Sequence, residues 1–233
     1  MAEEKRHKAM VIIAHPDDAD FLYGGTVAKL CAEGCEVVYV VATSGDKGTS
    51  DPDMDGARLA SIREAEQRAA AAVLGVRECV FLRHPDGFVE DGEPLRGEIV
   101  HLIRAQQPDT VITWDAYRRG FNHNDHRAVG VAAYDAVFPA ARDRLYHPGD
   151  AENGLTPHKV RELLLAGSEQ PDYFIDISDY FDIKLDAIYC HTSQIQPLEK
   201  EEFRRRRREQ TLEAGQRAGT PFAESFRRVL LRV

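Results

Sequence analysis

Short apolar runs alternate with helical patterns along this chain, and this alternation limits the possible folds more than any other feature. The runs A-M-V-I-I-A at 9–14 and E-V-V-Y-V-V-A-T at 36–43 are largely apolar at consecutive positions. Such runs are typical of strands that helices cover on both faces. Apolar residues at helical spacing lie between the runs and predict intervening helices. The predicted strands are 9–14, 36–43, 79–82, 110–114, 160–166 and 173–177, and the predicted helices are 22–33, 59–73, 95–103, 129–141 and 203–216.

Strands that alternate with helices indicate a parallel sheet, because a connection between parallel strands needs a crossover element. We predict an α/β fold, a Rossmann-like three-layer αβα sandwich with a mostly parallel sheet, in a single domain over residues 1–233. Ligands bind beyond the carboxyl ends of the strands in such sheets. The stretch 140–160 is rich in Pro, Gly and polar residues, so we expect a loop that acts as a lid. Polar motifs follow the first four strands, at 15–18, 44–46, 84–86 and from 115 onward.

Charge and composition narrow the range of partners. The formal net charge of −9 argues against nucleic acid, since nucleic-acid-binding proteins usually carry a basic face. No apolar run approaches the ~20 residues that span a bilayer. The first eight residues are rich in charge and lack the apolar core of a signal peptide. We therefore expect a cytoplasmic protein that acts on a small molecule and has no membrane partner.

Two clusters of histidine and aspartate lie at the predicted site edge, H-P-D-D at 15–18 and N-H-N-D-H at 122–126. A catalytic zinc site uses three nitrogen or oxygen ligands and leaves one position for water. One His and one Asp from the first cluster and one His from the second would supply them. A lone His-Pro-Asp segment is more often a turn, because Asp caps helices and Pro shapes turns. Two such clusters at one edge favour a metal site.

The motifs also resemble a known family. A-H-P-D-D-A-D at 14–20 is followed by G-G-T, T-S-G-D-K-G-T, R-E-A-E, H-P-D-G, H-N-D-H and H-T-S-Q. In this order, from about residue 10 to 195, they resemble the PIG-L/LmbE-like deacetylases, zinc-dependent enzymes that deacetylate N-acetylglucosamine-type groups. The resemblance implies one Zn²⁺ per chain and an N-acetylated sugar or conjugate as substrate. It also implies a homo-oligomer, either a trimer or a hexamer.

The same resemblance implies a role for each residue of the two clusters. Asp17 would be the general base, His123 would face the developing oxyanion, and Asp125 would hold His123 in its working tautomer. The first motif continues with Ala19-Asp20 where many members have Glu, and Asn124 stands where Pro is common, which leaves the subfamily and its substrate open. The implied metal ligands are His15, Asp18 and His126.

These roles fit amide hydrolysis. A zinc ion lowers the pKa of a bound water from ~15.7 to about 7, and a nearby carboxylate such as Asp17 can accept the water proton. A protonated His123 would stabilise the tetrahedral oxyanion. Either of these two residues could then protonate the leaving amine.

Six further residues are candidate substrate contacts: Asp46, Arg63, Asp86, Tyr117, Arg118 and His191. Asp46 and Asp86 could equally serve as turn residues. Arg63 could donate to substrate hydroxyls, but a solvent-facing arginine paired with Glu66 or Gln67 fits the same helix. His191 matches the family's late histidine and is expected to orient a ligand or the substrate.

Two other function classes compete with a deacetylase. A zinc-dependent hydratase or lyase on the same scaffold would use the same metal site, and acetate release would distinguish the two. A binding protein that has lost its chemistry is disfavoured, because the acidic and histidine residues of both clusters are intact. The chain has no G-x-S-x-G nucleophile elbow and no G-x-G-x-x-G dinucleotide fingerprint after its first strand.

Overall fold

The computed structural model describes residues 6–120, 122–195 and 200–232. Residues 1–5, on which part of the signal-peptide expectation rests, lie outside these ranges. The strands are β1 (Lys8–Ile13), β2 (Glu36–Thr43), β3 (Glu78–His84), β4 (Thr110–Trp114), β5 (Glu162–Ala166), β6 (Tyr173–Asp176) and β7 (Ala223–Leu230). The helices are α1 (Asp18–Ala32), α2 (Gly56–Leu74), α3 (Glu93–Gln106), α4 (Asn124–Val137), α5 (Gly149–Glu152), α6 (Phe181–Ile188) and α7 (Lys200–Ala218).

The strands form one seven-stranded sheet in the order β3-β2-β1-β4-β5-β7-β6. The first five of these strands are parallel, with Val11 of β1 opposite Tyr39 of β2 on one side and Ile112 of β4 on the other. β7 runs antiparallel to both β5 and β6. The predicted α/β fold with a mostly parallel sheet is therefore confirmed, and β7 is an antiparallel strand that the apolar pattern did not predict.

Helices cover both faces of the sheet and produce two separate cores. Side chains alternate across a strand, so Met10 and Ile12 face one core while Val11 and Ile13 face the other. The first core contains apolar residues of α3 and α4, and the second contains residues of α1, α2 and α6. This is the predicted three-layer arrangement. Among the described residues, no helix is long and apolar enough to cross a membrane.

Two helices differ from their predicted bounds in a way that shapes the site. α1 begins at Asp18 rather than at residue 22, so the first aspartate cluster lies in its first turn. α4 begins at Asn124 rather than at residue 129, and His123 is its N-cap residue. α4 ends at Val137, before Pro139, because the residue that precedes a proline disfavours helical geometry.

α1 is kinked at Tyr23, whose φ of −144° is not helical. The kink frees backbone groups, and two buried side chains satisfy them. The Glu224 carboxylate of β7 accepts the N–H groups of residues 25 and 26, at 3.1 and 2.7 Å. Lys184 of α6 pairs with Glu224 and donates to the carbonyl of Leu22 at 3.1 Å. This buried ion pair fixes the direction of the first half of α1, which bears Asp18.

The segment 140–160, expected to form a lid, contains a short 3₁₀ turn and α5. It is fastened by Arg104, a buried residue at the end of α3 that pairs with Asp150 at 2.8 Å. His158 of the same segment lies 2.7 Å from the carbonyl of Pro108, just before β4. These contacts tie the segment to α3 and to Pro108 just before β4, and its role as a lid stays a prediction. Arg104 also donates to the carbonyls of Ala140, Ala141, Asp143, Tyr146 and His147.

Candidate active site

The two predicted clusters meet at the carboxyl ends of β1 and β4. His15 follows β1 directly, and Asp18 lies in the first turn of α1. His126 lies in the first turn of α4, which follows β4 after a loop. These two strands are neighbours in the sheet, which brings side chains separated by more than a hundred residues into contact.

The side chains of His15, Asp18 and His126 bring candidate ligand atoms close together. His15 Nδ1 and His126 Nε2 are 3.2 Å apart, and His126 Nε2 is 3.2 Å from Asp18 Oδ1. His15 Nδ1 lies 3.6 Å from the other oxygen of Asp18. Atoms bound at 2.0–2.2 Å to a tetrahedral ion are separated by roughly 3.3–3.6 Å. The three side chains could therefore hold one divalent metal ion with little movement.

The second oxygen of Asp18 is occupied by protein donors. Asp18 Oδ2 accepts the N–H groups of Ala14 and His15 at 3.1 and 2.9 Å, and the indole N–H of Trp114 at 3.3 Å. Trp114 also stacks on the ring of His126, with ring centroids 3.8 Å apart. Burial raises the pKa of Asp18, but His126 and His15 hold it well below its usual range. Asp18 is thus an ionised, rigid group with Oδ1 directed at the metal position.

The second nitrogen of His15 contacts two carboxylates. His15 Nε2 is 3.1 Å from Asp125 Oδ2 and 3.2 Å from Asp86 Oδ1. Burial lowers the pKa of His15, but hydrogen bonds to Asp125, Asp18 and Asp86 raise it to about 12. A carboxylate that accepts the outer N–H of a metal-binding histidine fixes the tautomer and orientation of the ring. The arrangement leaves Nδ1 of His15 as the ligand atom.

Two predicted roles change with this geometry. The Asp86 carboxylate, expected to accept a substrate hydroxyl, lies on His15 and accepts the N–H of Lys47 at 2.9 Å. The Asp125 carboxylate, expected to hold His123, is fully buried and contacts Nε2 of His15 instead. The physical reason is that α4 begins at Asn124, so its first turn directs Asp125 inward, towards β1. Both carboxylates orient a candidate metal ligand.

His123 is held by a backbone group rather than by a carboxylate. The N–H of Asp125 donates to His123 Nδ1 at 3.2 Å, so the hydrogen of the neutral ring lies on Nε2. Burial and the neighbouring His15 and His126 lower the pKa of His123. The predicted protonated His123 is therefore corrected to a neutral imidazole that can donate from Nε2.

Asp17 lies beside the candidate ligands in a buried position. Its carboxylate accepts Arg63 Nη2 at 3.0 Å, and its N–H donates to Gln67 Oε1 at 2.7 Å. Burial and the neighbouring charge of Asp18 raise the pKa of Asp17 to about 7, and the positive charge of Arg63 opposes this shift. A carboxyl group with such a pKa can exchange a proton near neutral pH.

Arg63 has neither of its two predicted environments. It is buried rather than solvent-facing, and its other donors bind the carbonyls of Pro16 and Gly45 at 2.7 and 3.0 Å. A Cβ would lie 2.3 Å from Arg63 Nη1 at Gly45 and 2.5 Å from it at Gly48, so a larger residue at either position would displace the guanidinium. Arg63 faces the site, but it donates to Asp17 and to the loops around it rather than being free for substrate hydroxyls.

A cavity of about 320 Å³ opens over these side chains. Sequence reasoning missed Lys47 and Gly48, which line one wall beside Arg63, although the T-S-G-D-K-G-T motif contains both. Within the described part of the chain, the lining consists of His15, Asp17, Lys47, Gly48, Arg63, Asp86, Gly87, His123 and His126.

Four predicted substrate contacts lie outside this lining. Asp46 faces the ammonium group of Lys47, at 3.3 Å. Tyr117 is exposed, and the Arg118 guanidinium lies over the ring of Trp114, 5.8 Å from the ring centroid. His191 is fully buried and contacts Asp20, since the chain turns inward after α6.

Comparisons with known proteins place the chain in a family. The family model PIG-L, described as GlcNAc-PI de-N-acetylase, matches residues 10–137. A diacetylchitobiose deacetylase from Thermococcus kodakarensis is 34% identical over 220 residues, which cover 94% of this chain and 82% of that protein. The structure of N,N'-diacetylchitobiose deacetylase from Pyrococcus horikoshii, complexed with its inhibitor MPG, has a TM-score of 0.92 and 31% identity. That alignment covers 97% of this chain and 85% of the other.

A further solved structure shares the fold. The 4-carboxy-2-hydroxymuconate hydratase GalB from Pseudomonas putida KT2440 has a TM-score of 0.81, with 97% of this chain and 98% of that chain covered. At 23% identity this similarity shows a shared fold alone. The family match covers both His/Asp clusters, and it confirms the deacetylase class that the motifs predicted. The chain therefore belongs to the PIG-L family of de-N-acetylases.

Proposed function

We propose that this protein is a zinc-dependent deacetylase that hydrolyses the acetamide of an N-acetylglucosamine-like sugar or conjugate. One Zn²⁺ per chain would bind His15 Nδ1, Asp18 Oδ1 and His126 Nε2. His126 Nε2 lies 3.2 Å from both His15 Nδ1 and Asp18 Oδ1, and this spacing, beside the buried Asp17, is the observation that supports the proposal most directly. The diacetylchitobiose deacetylases named above support the sugar substrate.

The charge of the site also favours a dication. Four aspartates that are at most 8% exposed, Asp17, Asp18, Asp86 and Asp125, surround the two candidate histidine ligands. Buried carboxylates need compensating positive charge. Arg63 neutralises one of them through its contact with Asp17. A divalent cation would balance two more, and it would replace the proton that otherwise binds His15.

Imidazole and carboxylate ligands in a set of three with an open position are the ligand set of catalytic zinc. A zinc ion in this position supplies a water molecule of lowered pKa and polarises the amide carbonyl. Asp17 is the proton acceptor in the proposal, because its carboxylate lies at the cavity wall and Arg63 fixes its orientation.

His123 completes the machinery as a neutral donor. Its Nε2–H can donate to the oxygen of the amide carbonyl as negative charge develops there. The backbone N–H of Asp125 keeps Nδ1 in the accepting state, so the ring does not need to be protonated. When the C–N bond breaks, the proton that Asp17 accepted from water passes to the leaving nitrogen. The products are acetate and a free amine.

The test measures acetate release from N,N'-diacetylchitobiose and from other N-acetylglucosamine conjugates, with and without a chelator. We expect release by the wild-type enzyme that the chelator abolishes and that added zinc restores. Asp17→Asn should retain about one zinc per chain and lose roughly 10²–10⁴-fold in kcat. Asp18→Ala should lose both zinc and activity. Zinc loss in Asp17→Asn would overturn the assignment of Asp17 as base, and chelator-resistant release would overturn the metal dependence.

A further inference from the structure

Asp17 has a backbone conformation that side chains other than glycine rarely adopt. Its φ is +97°, in the region where an L residue is strained. This conformation directs the Asp17 carboxylate towards Arg63 rather than along the axis of α1, whose first residue is Asp18. Such strain persists only where the surroundings hold the residue in place. The hydrogen bond from the Asp17 N–H to Gln67 Oε1, at 2.7 Å, is a direct restraint on that backbone.

Gln67 is itself fixed. It lies on α2 with no exposed surface, and its Nε2 donates to Asp20 Oδ2 at 2.8 Å. The two contacts determine the orientation of the amide, because Asp17 offers a donor and Asp20 offers an acceptor. A rotated amide would face both partners with the wrong group. Gln67 therefore connects α2 to the Asp17 backbone in one orientation.

Asp20 anchors the other end of the connection. It is fully buried, and it also accepts the Tyr39 hydroxyl at 3.2 Å and lies 2.8 Å from His191 Nε2. The resulting hydrogen-bonded series runs from His191 through Asp20 and Gln67 to Asp17. The series connects His191, which lies three residues beyond the end of α6, to α1 and α2, and Tyr39 of β2 also donates to it. This series explains why the late histidine lies beneath the site without lining it.

We infer that Gln67 is a positioning residue for the general base, and that Asp20 and His191 act on the base through Gln67. The inference rests on the proposed role of Asp17. Gln67 does not line the cavity, so its effect is on the placement of the Asp17 carboxylate and not on substrate contact. A residue that merely filled the core would change stability and activity together.

The first variant is Gln67→Leu, which keeps a similar volume and removes both hydrogen bonds. We expect kcat to fall about 10–100-fold, the range for loss of an orienting contact, while KM changes less than about threefold. Zinc content should remain at about one per chain. Glu66→Gln is the matched control, because Glu66 is a buried neighbour on α2 that binds Thr192 and Ser193 instead of Asp17.

The second experiment is a rescue that restores the hydrogen-bond polarity. Gln67→Glu keeps an acceptor for the Asp17 N–H but places a carboxylate against Asp20. Adding Asp20→Asn supplies an amide donor to the new carboxylate and conserves the total charge. Because His191 Nε2 contacts the same Oδ2 atom, His191 must then accept through Nε2 and carry its hydrogen on Nδ1. We expect Gln67→Glu to lose kcat and the double variant to recover at least about tenfold of that loss. Absence of any recovery would overturn the proposed series.

Crystal structures of these variants separate this inference from the proposed function. In Gln67→Leu the Asp17 backbone should relax from φ of +97° and its carboxylate should leave Arg63, whether or not the chosen substrate is turned over. An unmoved Asp17 would overturn the positioning role even if the protein proved to be a deacetylase. A kcat loss equal to that of Glu66→Gln would overturn it as well. If Gln67→Leu fails to fold, the kcat of Gln67→Glu is compared with that of Gln67→Glu/Asp20→Asn, and this comparison tests the positioning role.

Discussion

Asp125→Asn is the substitution that most sharply separates metal orientation from the chemical step. The Asp125 carboxylate is fully buried and uses both oxygens. Oδ2 lies 3.1 Å from His15 Nε2 and accepts the Gly87 N–H at 2.7 Å, while Oδ1 accepts the Val89 N–H at 3.1 Å. An amide retains one of these oxygens. In either orientation of the amide, its NH₂ group would face a donor, so the substitution must break hydrogen bonds although Asn and Asp have nearly the same size.

The expected magnitude follows from these contacts. Loss of a carboxylate that orients a histidine ligand typically lowers metal affinity 10–100-fold, which corresponds to about 1.4–2.7 kcal/mol. A buried N–H left without an acceptor costs about 1–3 kcal/mol of stability. For a protein of this size each kcal/mol shifts Tm by about 2–4 °C, so Tm should fall by roughly 2–12 °C.

Zinc affinity is measured by competition with a chromophoric chelator at one fixed pH. Asp150→Asn is the control, because Asp150 is also buried and pairs with Arg104, among the contacts that fasten the segment 140–160. It should lose stability without losing zinc affinity. Zinc affinity of Asp125→Asn within twofold of the wild type would refute the reasoning that Asp125 orients His15 as a ligand.

Two further predictions concern stability. Lys184→Met leaves the buried Glu224 charge unpaired, which should cost roughly 3–5 kcal/mol. Calorimetry should then show a Tm lower by roughly 6–20 °C, and an unchanged Tm would show that the pair does not support the kink of α1. Glu64 is an acid-sensitive group outside the candidate metal ligands: burial raises its pKa, but Arg83, Ser44 and Arg68 lower it to about 2. Because the unfolded value is ~4.3, this stabilisation is present above pH ~4.3 and is lost as the pH falls towards 2. Urea midpoints of wild type and Glu64→Gln should differ at pH 6 and converge near pH 2; a constant difference would contradict the assignment.

The parallel part of the fold is predictable because each central strand is a continuous apolar run. β1 and β2 are buried on both faces, so hydrophobicity alone marks them. β7 reads A-E-S-F-R-R-V-L and has no such run. Its Glu224 is buried because it pairs with Lys184 and binds the kink of α1, and no local pattern predicts that pairing.

The candidate metal site is predictable for a similar reason. Its residues follow strand ends, and strand order brings those ends together, so the two clusters suggest one site before any coordinates are known. The hydrogen-bond partners of these residues are harder to predict from the sequence. Gln67 and Arg63 reach Asp17 across about fifty residues of sequence. Their roles depend on the rotation of α2 about its axis, which the weak apolar periodicity of that helix leaves undetermined.

The role that the resemblance implied for Asp125 differs from its contacts in the structure. It is adjacent to the second histidine pair in sequence, yet its carboxylate crosses to His15, and its N–H serves His123. The start of α4 at Asn124 determines that the Asp125 carboxylate points towards His15 and its N–H towards His123. Motifs of this kind therefore identify the members of a site more reliably than the role of each member.

The central claim is tested most directly by X-ray diffraction from zinc-loaded crystals on both sides of the zinc absorption edge. The account predicts one anomalous peak per chain, about 2.0–2.2 Å from His15 Nδ1, Asp18 Oδ1 and His126 Nε2. Two other sets of potential ligand atoms lie nearby, one on His15, His123 and His126 and one on His15, Asp86 and Asp125. A peak bound by either of these sets, with Asp18 left uncoordinated, would contradict both the ligand assignment and the roles derived from it.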